Sequence, residues 1–249
     1  MFEDLHHLVI FAHRGASAHA PENTLASFEL ALSQGADAIE LDARLSADGQ
    51  VVVIHDSTVD RTTNGHGRVA KLTLNELRSL DASSSYAEKY RREKIPLLEE
   101  VFEAVGKKML INVELKNYTP HDQLVEKVCE LVQKHGLENR IIFSSFLTSS
   151  LKKAERLLPE VPRGLLTLDG WMGAWGRSFE FSFGEYAALH PYLTDVTKQQ
   201  VVRVHRLKRR VHVWTVNKAE DMVRLNNWGV DGILTDDPEL AFHALGRSL

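Results

Sequence analysis

Along this chain, short β-rich apolar runs alternate with stretches in which apolar residues recur at helical period. Residues 8–12 read as a strand. Leu25, Phe28 and Leu32 then fall at helical spacing, opened by Pro21 and Asn23 and closed by Gly35. Residues 38–45 make a second strand and 51–54 a third, joined through the Asp48-Gly49 turn. Residues 57–94, rich in Thr, Ser, Asn, Gly and charge with one helical patch at 74–80, break the rhythm. From Pro96 the alternation is regular: helix to 105, strand 109–115, helix 123–134, strand 140–144, helix 149–158, strand 163–167. After an aromatic stretch come strand 185–189, helix 199–207, strand 211–216, helix 219–226, strand 232–234 and helix 238–245.

Strands alternating with helices imply parallel pairing through right-handed crossovers. With 51–54 taken as a hairpin extension of the second strand, eight β-α units remain. Eight units in 249 residues favour a closed barrel over an open sheet. The expected fold class is α/β, a (β/α)8 TIM barrel. It forms one domain over residues 1–249, with a small insertion after the second strand at about 46–95.

Composition adds exclusions. At 43% hydrophobic and 26% charged the chain is ordinary globular material, and a net charge of −4 with pI near 6.3 argues against a nucleic-acid partner. The basic run Arg206, Lys208, Arg209, Arg210 reads as a solvated helix end. The lone cysteine, Cys129, lies in an amphipathic helical pattern and reads as a packed, unreactive thiol, which permits a reducing compartment. No cationic segment precedes the apolar run at 8–12, and no stretch approaches the length of a membrane span. A cytoplasmic protein without membrane insertion is therefore expected.

Candidate chemistry lies where polar residues interrupt strands. His13-Arg14-Gly15 closes strand one; Glu40 and Asp42, two apart, share one face of strand two; His55-Asp56 follows 51–54; Glu114 and Lys116 end the strand that begins at 109. Taken singly, the acidic pair could be a half-exposed strand, Glu114 with Lys116 a surface pair, and His55 a satisfied polar residue. A barrel, however, builds its site at the C-terminal ends of several strands, so these groups converge. Three buried carboxylates without an equal number of fixed cations call for a divalent ion, and oxygen-only ligands suit Mg²⁺ or Ca²⁺ rather than zinc.

These residues resemble a known family. His13-Arg14-Gly15 with Pro21-Glu22-Asn23-Thr24, Glu40-Leu41-Asp42, His55-Asp56, Asp60-Arg61-Thr62-Thr63 and Gly65 resemble, in order, the signature of the glycerophosphodiester phosphodiesterases. So do Ile95-Pro96-Leu97, Glu114-Leu115-Lys116, Val213-Trp214-Thr215-Val216-Asn217 and the run from Gly229 through Asp236 to Pro238. The resemblance implies hydrolysis of a small-molecule glycerophosphodiester to sn-glycerol 3-phosphate and an alcohol, on a barrel with a small insertion after the second strand. It implies that Glu40, Asp42 and Glu114 bind the divalent cation and that His13 and His55 are the acid–base pair. Arg14 would then clamp the phosphate and Lys116 would add positive charge beside it. It also implies that Phe146 and Trp214 wall the glycerol pocket, although Trp214, read as lying inside a strand, could serve the core instead.

Other features keep two readings. His190, before Pro191 at a strand end, is expected to face the mouth or to make a turn, and His19 to sit in a loop. Trp171, Met172, Trp175, Phe179, Phe181 and Phe183 read as a short helix burying its rings against the barrel. Their alternatives are a lid or wall on the alcohol side, or a contact with a second copy in a homodimer. A lysophospholipase D-type activity on lysolipids is the competing enzymatic reading. A non-catalytic binding module is disfavoured because no histidine or carboxylate of the set is missing.

Overall fold

The computed structural model describes residues 7–83, 86, 88–90, 92–119 and 122–247; the residues before His7 that entered the location reading lie outside these. The first half of the barrel comprises β1 (Val9–His13), α1 (Leu25–Ser33), β2 (Ala38–Leu45), β3 (Val51–Val53), α2 (Leu74–Ser79), α3 (Leu98–Val105), β4 (Leu110–Leu115), α4 (Leu124–His135) and β5 (Ile141–Ser145). It continues through α5 (Thr148–Leu157), β6 (Arg163–Leu166), α6 (Phe181–Phe183), β7 (Ala188–His190), α7 (Lys198–Arg206), β8 (Arg210–Val213), α8 (Ala219–Trp228), β9 (Gly232–Thr235) and α9 (Pro238–Ala244). Parallel pairing runs from β1 through β9, β8, β7, β6, β5 and β4 to β2, and β2 pairs back onto β1, with Phe11 beside Ala38 and His13 beside Glu40. The sheet is thus a closed eight-stranded parallel barrel. β3 lies outside it, antiparallel to the end of β2 through Ala43 and Val53.

Alternation along each strand sorts side chains between two environments. Ile39, Leu41 and Ala43 of β2, like Ile111, Val113 and Leu115 of β4, face the surrounding helices in the main apolar core. Val9, Phe11, Ala38, Leu110, Ile142, Ala188 and Leu234 fill the lower barrel interior. Burial on both faces explains why these strands read as nearly continuous apolar runs.

Polar groups occupy the remaining interior positions. His190 is fully buried there, its Nε2 3.1 Å from His212 Nδ1, and neither faces the mouth nor makes a turn as the sequence suggested. Burial pushes His190 down to about 3 and His212 well down, so both rings are neutral. Gly164 makes room for this pair, since a Cβ there would fall 2.3 Å from His190 Nε2.

Two strands differ from expectation. Residues 185–187 form a bend anchored by Arg163 donating to the Glu185 carbonyl and by Tyr186 stacked on Phe181, so β7 begins only at Ala188. β8 ends at Val213. Trp214 lies beyond the strand, bridging to Tyr192, because its N–H donates to the Pro191 carbonyl while its own carbonyl receives the Leu193 N–H. The excursion after β3 carries its own small core, in which Val59, Val69, Leu77 and Ala82 pack on Val52, Ile54 and Ile95. Its helix α2 is capped by Thr73, whose hydroxyl accepts from the Glu76 N–H while the Glu76 side chain reaches back to the Thr73 N–H. Cys129 is buried in α4, where burial pushes its thiol up to about 12. Among the described residues no helix is long and apolar enough to cross a membrane.

The β1–α1 loop folds closely against the start of α1. Arg14 and Asn23 both hold positive φ, and the Asn23 N–H donates to the Arg14 carbonyl at 2.9 Å. Gly15, at φ 82, lies so close to α1 that a Cβ would meet Ser27 Oγ at 2.3 Å. Both the dihedral and the contact oppose a side chain, so Gly15→Ala is expected to cost about 2–4 kcal/mol. Urea unfolding checks this, and an unchanged midpoint would show that the loop relaxes freely.

Candidate active site

The barrel brings the sequence-selected residues to the C-terminal ends of its strands. His13, Arg14, Glu40, His55, Glu114, Lys116, Phe146 and Trp214 line one cavity of about 160 Å³, together with Asn112, Ser144, Leu166 and Leu234. Asp42 sits directly behind its wall, against Arg14 and Lys116. A larger cavity of about 730 Å³ opens at the opposite end, among the strand N-termini, and holds none of the clustered carboxylates.

Glu40, Asp42 and Glu114 are buried on neighbouring strands because the register sets Glu40 beside Asn112 and Asp42 beside Glu114. One oxygen from each lies within 4.8 Å of the others. Burial and mutual repulsion push Glu40 well up and Glu114 up to about 7. Burial also opposes ionisation of Asp42, but Lys116 and Arg14 outweigh it and hold this carboxyl far below the usual range. Lys116 reaches Glu114 at 2.8 Å and Asp42 at 3.3 Å. Arg14 Nε lies 3.5 Å from Asp42. Asn23, which donates to Asp42 Oδ2 at 2.8 Å, orients that carboxylate.

Asp42 Oδ1, fully buried, accepts no hydrogen bond. Three carboxylates face two fixed cations, so the cluster as built is short of positive charge. An all-oxygen set, in which Asp42 Oδ1 has Lys116 at 3.3 Å but accepts no hydrogen bond, fits a hard divalent ion. The other carboxylate-histidine group among the described residues, Glu99, Glu103 and His135, lies at the outer surface, where Lys134 already pairs with Glu99.

Each histidine is anchored at Nδ1 by a carboxylate. His13 Nδ1 is 2.6 Å from Asp236 Oδ1, and Asp236 also accepts from Ser17 and Asn217. Burial works against Asp236, yet these hydrogen bonds hold its carboxyl below the ordinary value. His13 Nε2 then points toward the carboxylates, 4.0 Å from Glu40. His55 Nδ1 is 2.6 Å from Asp56, which Arg61 grips through both oxygens and holds down to about 2. Arg61 in turn pairs with Glu22, which pairs with Arg14. Desolvation, joined by the cations Lys116 and Arg14, lowers His55.

Several of these supports were present in the motifs but were not singled out as site residues: Asp236, Asp56, Glu22, Arg61 and Asn23. Asn112 and Ser144 escaped altogether. Asn112 shares the inward face of β4 with Glu114, and Ser144 sits beside Glu114 on β5, so strand alternation contained the signal. Both Asn112 side-chain polar atoms and Ser144 Oγ are buried without partners at the cavity. At its rim Phe146 meets Trp214 edge-on at 5.7 Å, and Trp214 Nε1 donates to the His190 carbonyl; this ring both lines the mouth and packs on the interior apolar cluster.

Residues 13–240 match the profile of the Glycerophosphoryl diester phosphodiesterase family. The chain is 42% identical over 233 residues to a glycerophosphodiester phosphodiesterase of Caldanaerobacter subterraneus subsp. tengcongensis, covering 93% of this chain and 95% of the relative. It is similar to the solved structure of an Oleispira antarctica phosphodiesterase in complex with the product sn-glycerol-3-phosphate. That likeness has a TM-score of 0.88 at 34% identity over 95% of this chain and 96% of the other. The glycerophosphodiester phosphodiesterase of Thermotoga maritima superposes with a TM-score of 0.77 at 30% identity, over 95% and 97% of the two chains.

Proposed function

The chain belongs to the glycerophosphoryl diester phosphodiesterase family, and from that premise we propose that it hydrolyses small glycerophosphodiesters to sn-glycerol 3-phosphate and an alcohol, with His13 and His55 as its proton-transfer pair. The observation that carries this reading is the pair of carboxylate-anchored imidazoles beside the buried Glu40–Asp42–Glu114 cluster, around a cavity sized for a small polar substrate.

Glu40, Asp42 and Glu114 would hold a divalent cation, Mg²⁺ or Ca²⁺, which when bound neutralises phosphate charge and polarises the P–O bonds. Arg14 and Lys116 supply fixed positive charge on the same side of the cavity, where the equatorial oxygens of a phosphodiester gain charge in the transition state. Arg14, already held by Glu22, has a planar fork suited to two phosphate oxygens. Anchoring at Nδ1 leaves Nε2 of each ring as the exchangeable position. One Nε2 takes the proton of the attacking oxygen, and the other Nε2–H delivers a proton to the departing alkoxide. The same two transfers serve attack by water or by the neighbouring glycerol hydroxyl. The unpaired polar atoms of Asn112 and Ser144 would meet the glycerol hydroxyls, and Phe146 and Trp214 would wall the glycerol pocket.

Release of glycerol 3-phosphate from soluble glycerophosphocholine, glycerophosphoethanolamine and glycerophosphoglycerol tests the substrate class. Turnover of these diesters is expected to exceed that of micellar lysolipids. The opposite order would move the assignment to a lysophospholipase D-type activity.

A further inference from the structure

Two connections of the barrel break its strand–helix rhythm, residues 167–187 between β6 and β7 and residues 54–97 after β3. The first stays out of the active site. Trp171 is 87% exposed, Trp175 65% and Phe183 76%, with Met172 and Phe179 also open to solvent and only Phe181 turned inward, against Tyr186. The burial of these rings expected from the sequence is therefore not realised. Nor do they form a lid, because none of them lines the catalytic cavity. The second connection does reach the reacting groups, through Arg61.

Val59 and Thr63 are buried, and the Thr63 N–H and hydroxyl both donate to the Val59 carbonyl, at 3.1 and 2.8 Å. They close a turn with Arg61 at its middle. The Arg61 side chain is 48% exposed, yet its guanidinium spans two carboxylates. Nε and Nη2 donate to Asp56 at 2.7 and 3.2 Å, while Nη1 and Nη2 donate to Glu22 at 2.6 and 2.8 Å. Beyond Asp56 stands His55, 2.6 Å away at Nδ1; beyond Glu22 stands Arg14, whose Nη1 donates to it at 3.0 Å. One planar fork thus completes a chain from His55 through Asp56, Arg61 and Glu22 to Arg14.

The sheet does not join these two ends. Arg14 follows β1 and His55 follows β3, and among the described residues β3 pairs with no strand but β2. The carboxylates also depend on the fork. Burial opposes ionisation of Glu22, and hydrogen bonds from Arg61, followed by the charge of Arg14, outweigh it. At Asp56 the bonds from Arg61 are the largest influence.

We infer that Arg61 is a positioning residue for two parts of the reaction at once. Through Asp56 it fixes the His55 ring, and through Glu22 it fixes the Arg14 guanidinium at the phosphate. This rests on the roles proposed above for His55 and Arg14. Lysine cannot replace it, because an ammonium is a point donor without a fork that grips two carboxylates in one plane. A half-exposed ion pair adds little to stability, so the contribution of Arg61 appears in rate and affinity rather than in folding.

The test is steady-state kinetics on soluble glycerophosphocholine for Arg61→Ala, Asp56→Asn, Glu22→Gln and the two double variants that contain Arg61→Ala. Arg61→Ala is expected to lower kcat about tenfold and to raise KM about tenfold, with a melting temperature close to that of the parent. Asp56→Asn should move chiefly kcat, and Glu22→Gln chiefly KM. Because each pair acts as a unit, adding Arg61→Ala should lower the kcat of Asp56→Asn by no more than about twofold. It should raise the KM of Glu22→Gln by no more than about twofold. Arg61→Lys should recover one of the two losses at most. Arg61 loses this role if Arg61→Ala keeps kcat and KM within about twofold of the parent while His55→Ala and Arg14→Ala are impaired. It loses it equally if the losses multiply in the double variants, or if lysine restores both constants. Should His55→Ala itself keep the parent rate, the reading of the site fails and the role of Arg61 falls with it.

Discussion

His13→Ala and His55→Ala are each expected to lower kcat by about 10²–10⁴-fold while leaving KM within a few-fold. The reason is geometric. Both rings are tied at Nδ1, by Asp236 and by Asp56, so each offers one nitrogen for proton exchange at the cavity. Among the described residues no other histidine lines that cavity; His190 and His212 are sealed in the barrel interior and neutral. Because the two rings serve one reaction, the double variant should be little worse than the poorer single variant. His55 is 30% exposed, so His55→Ala should barely move thermal stability, whereas His13→Ala takes a partner from the half-buried Asp236 and should lower it modestly. Asp236→Asn and Asp56→Asn should cost less, about tenfold, since they loosen the orientation of a ring that stays in place. A substrate whose leaving group is p-nitrophenolate separates the two roles, because it departs without a proton. The histidine that donates to the leaving group becomes dispensable with it, whereas the one that accepts the attacking proton does not. Retention of more than about a tenth of kcat by either alanine variant, on every diester, would remove that histidine from the proton path.

Much of the barrel was legible because its strands are buried on both faces and its helices on one, so the two periods alternate cleanly. The hairpin at Asp48-Gly49 was readable from turn chemistry, and treating β3 as an outgrowth of β2 gave the right strand count. What could not be read depends on contacts distant in sequence. The late start of β7 follows from Tyr186 stacking on Phe181 and from Arg163 reaching the Glu185 carbonyl. The early end of β8 follows from Trp214 exchanging backbone hydrogen bonds with the segment after β7. His190 looked like a mouth residue because it precedes a proline, but its partner, His212, lies 22 positions away on another strand.

The reacting groups were easier to find than their supports. An acid inside an apolar run is costly and therefore conspicuous, so Glu40, Asp42 and Glu114 stood out. A supporting carboxylate in a loop is not. Nothing local distinguishes Asp236 from Asp237, yet the first holds His13 and the second caps α9. The exposed rings at 171–183 were misjudged for a related reason: aromatic residues at helical spacing are usually core, and only their neighbours show that here the barrel side is already filled by Phe181.

Withholding the proposed divalent cation is expected to abolish turnover, and replacing one of the carboxylates proposed to hold it to weaken its binding, yet neither should make the metal-free protein less stable. Glu40 and Glu114 are both raised by burial first and by the Asp42 carboxylate second, so in the metal-free fold their ionised forms are disfavoured. The sign follows from linkage: a carboxyl raised above its unfolded value favours folding while protonated, and that contribution is lost as pH climbs through the folded value, near 7 for Glu114. Glu114→Gln keeps the shape and removes the charge, and the amide can still accept from Lys116. In chelator its melting temperature should therefore equal or exceed that of the parent, with a gap that widens between pH 5 and pH 8 to several degrees. In saturating Mg²⁺ or Ca²⁺ the order should reverse, because the bound cation stabilises the parent while the variant binds it weakly. Activity should vanish on chelation, return with added cation in the parent, and return in Glu114→Gln only at far higher concentrations. Full activity in a sample verified free of metal would remove the cation from the reaction. A variant less stable than the parent in chelator would instead mean that Glu114 is a structural partner of Lys116, since only a group retained for binding charge should be better for the bare fold when lost.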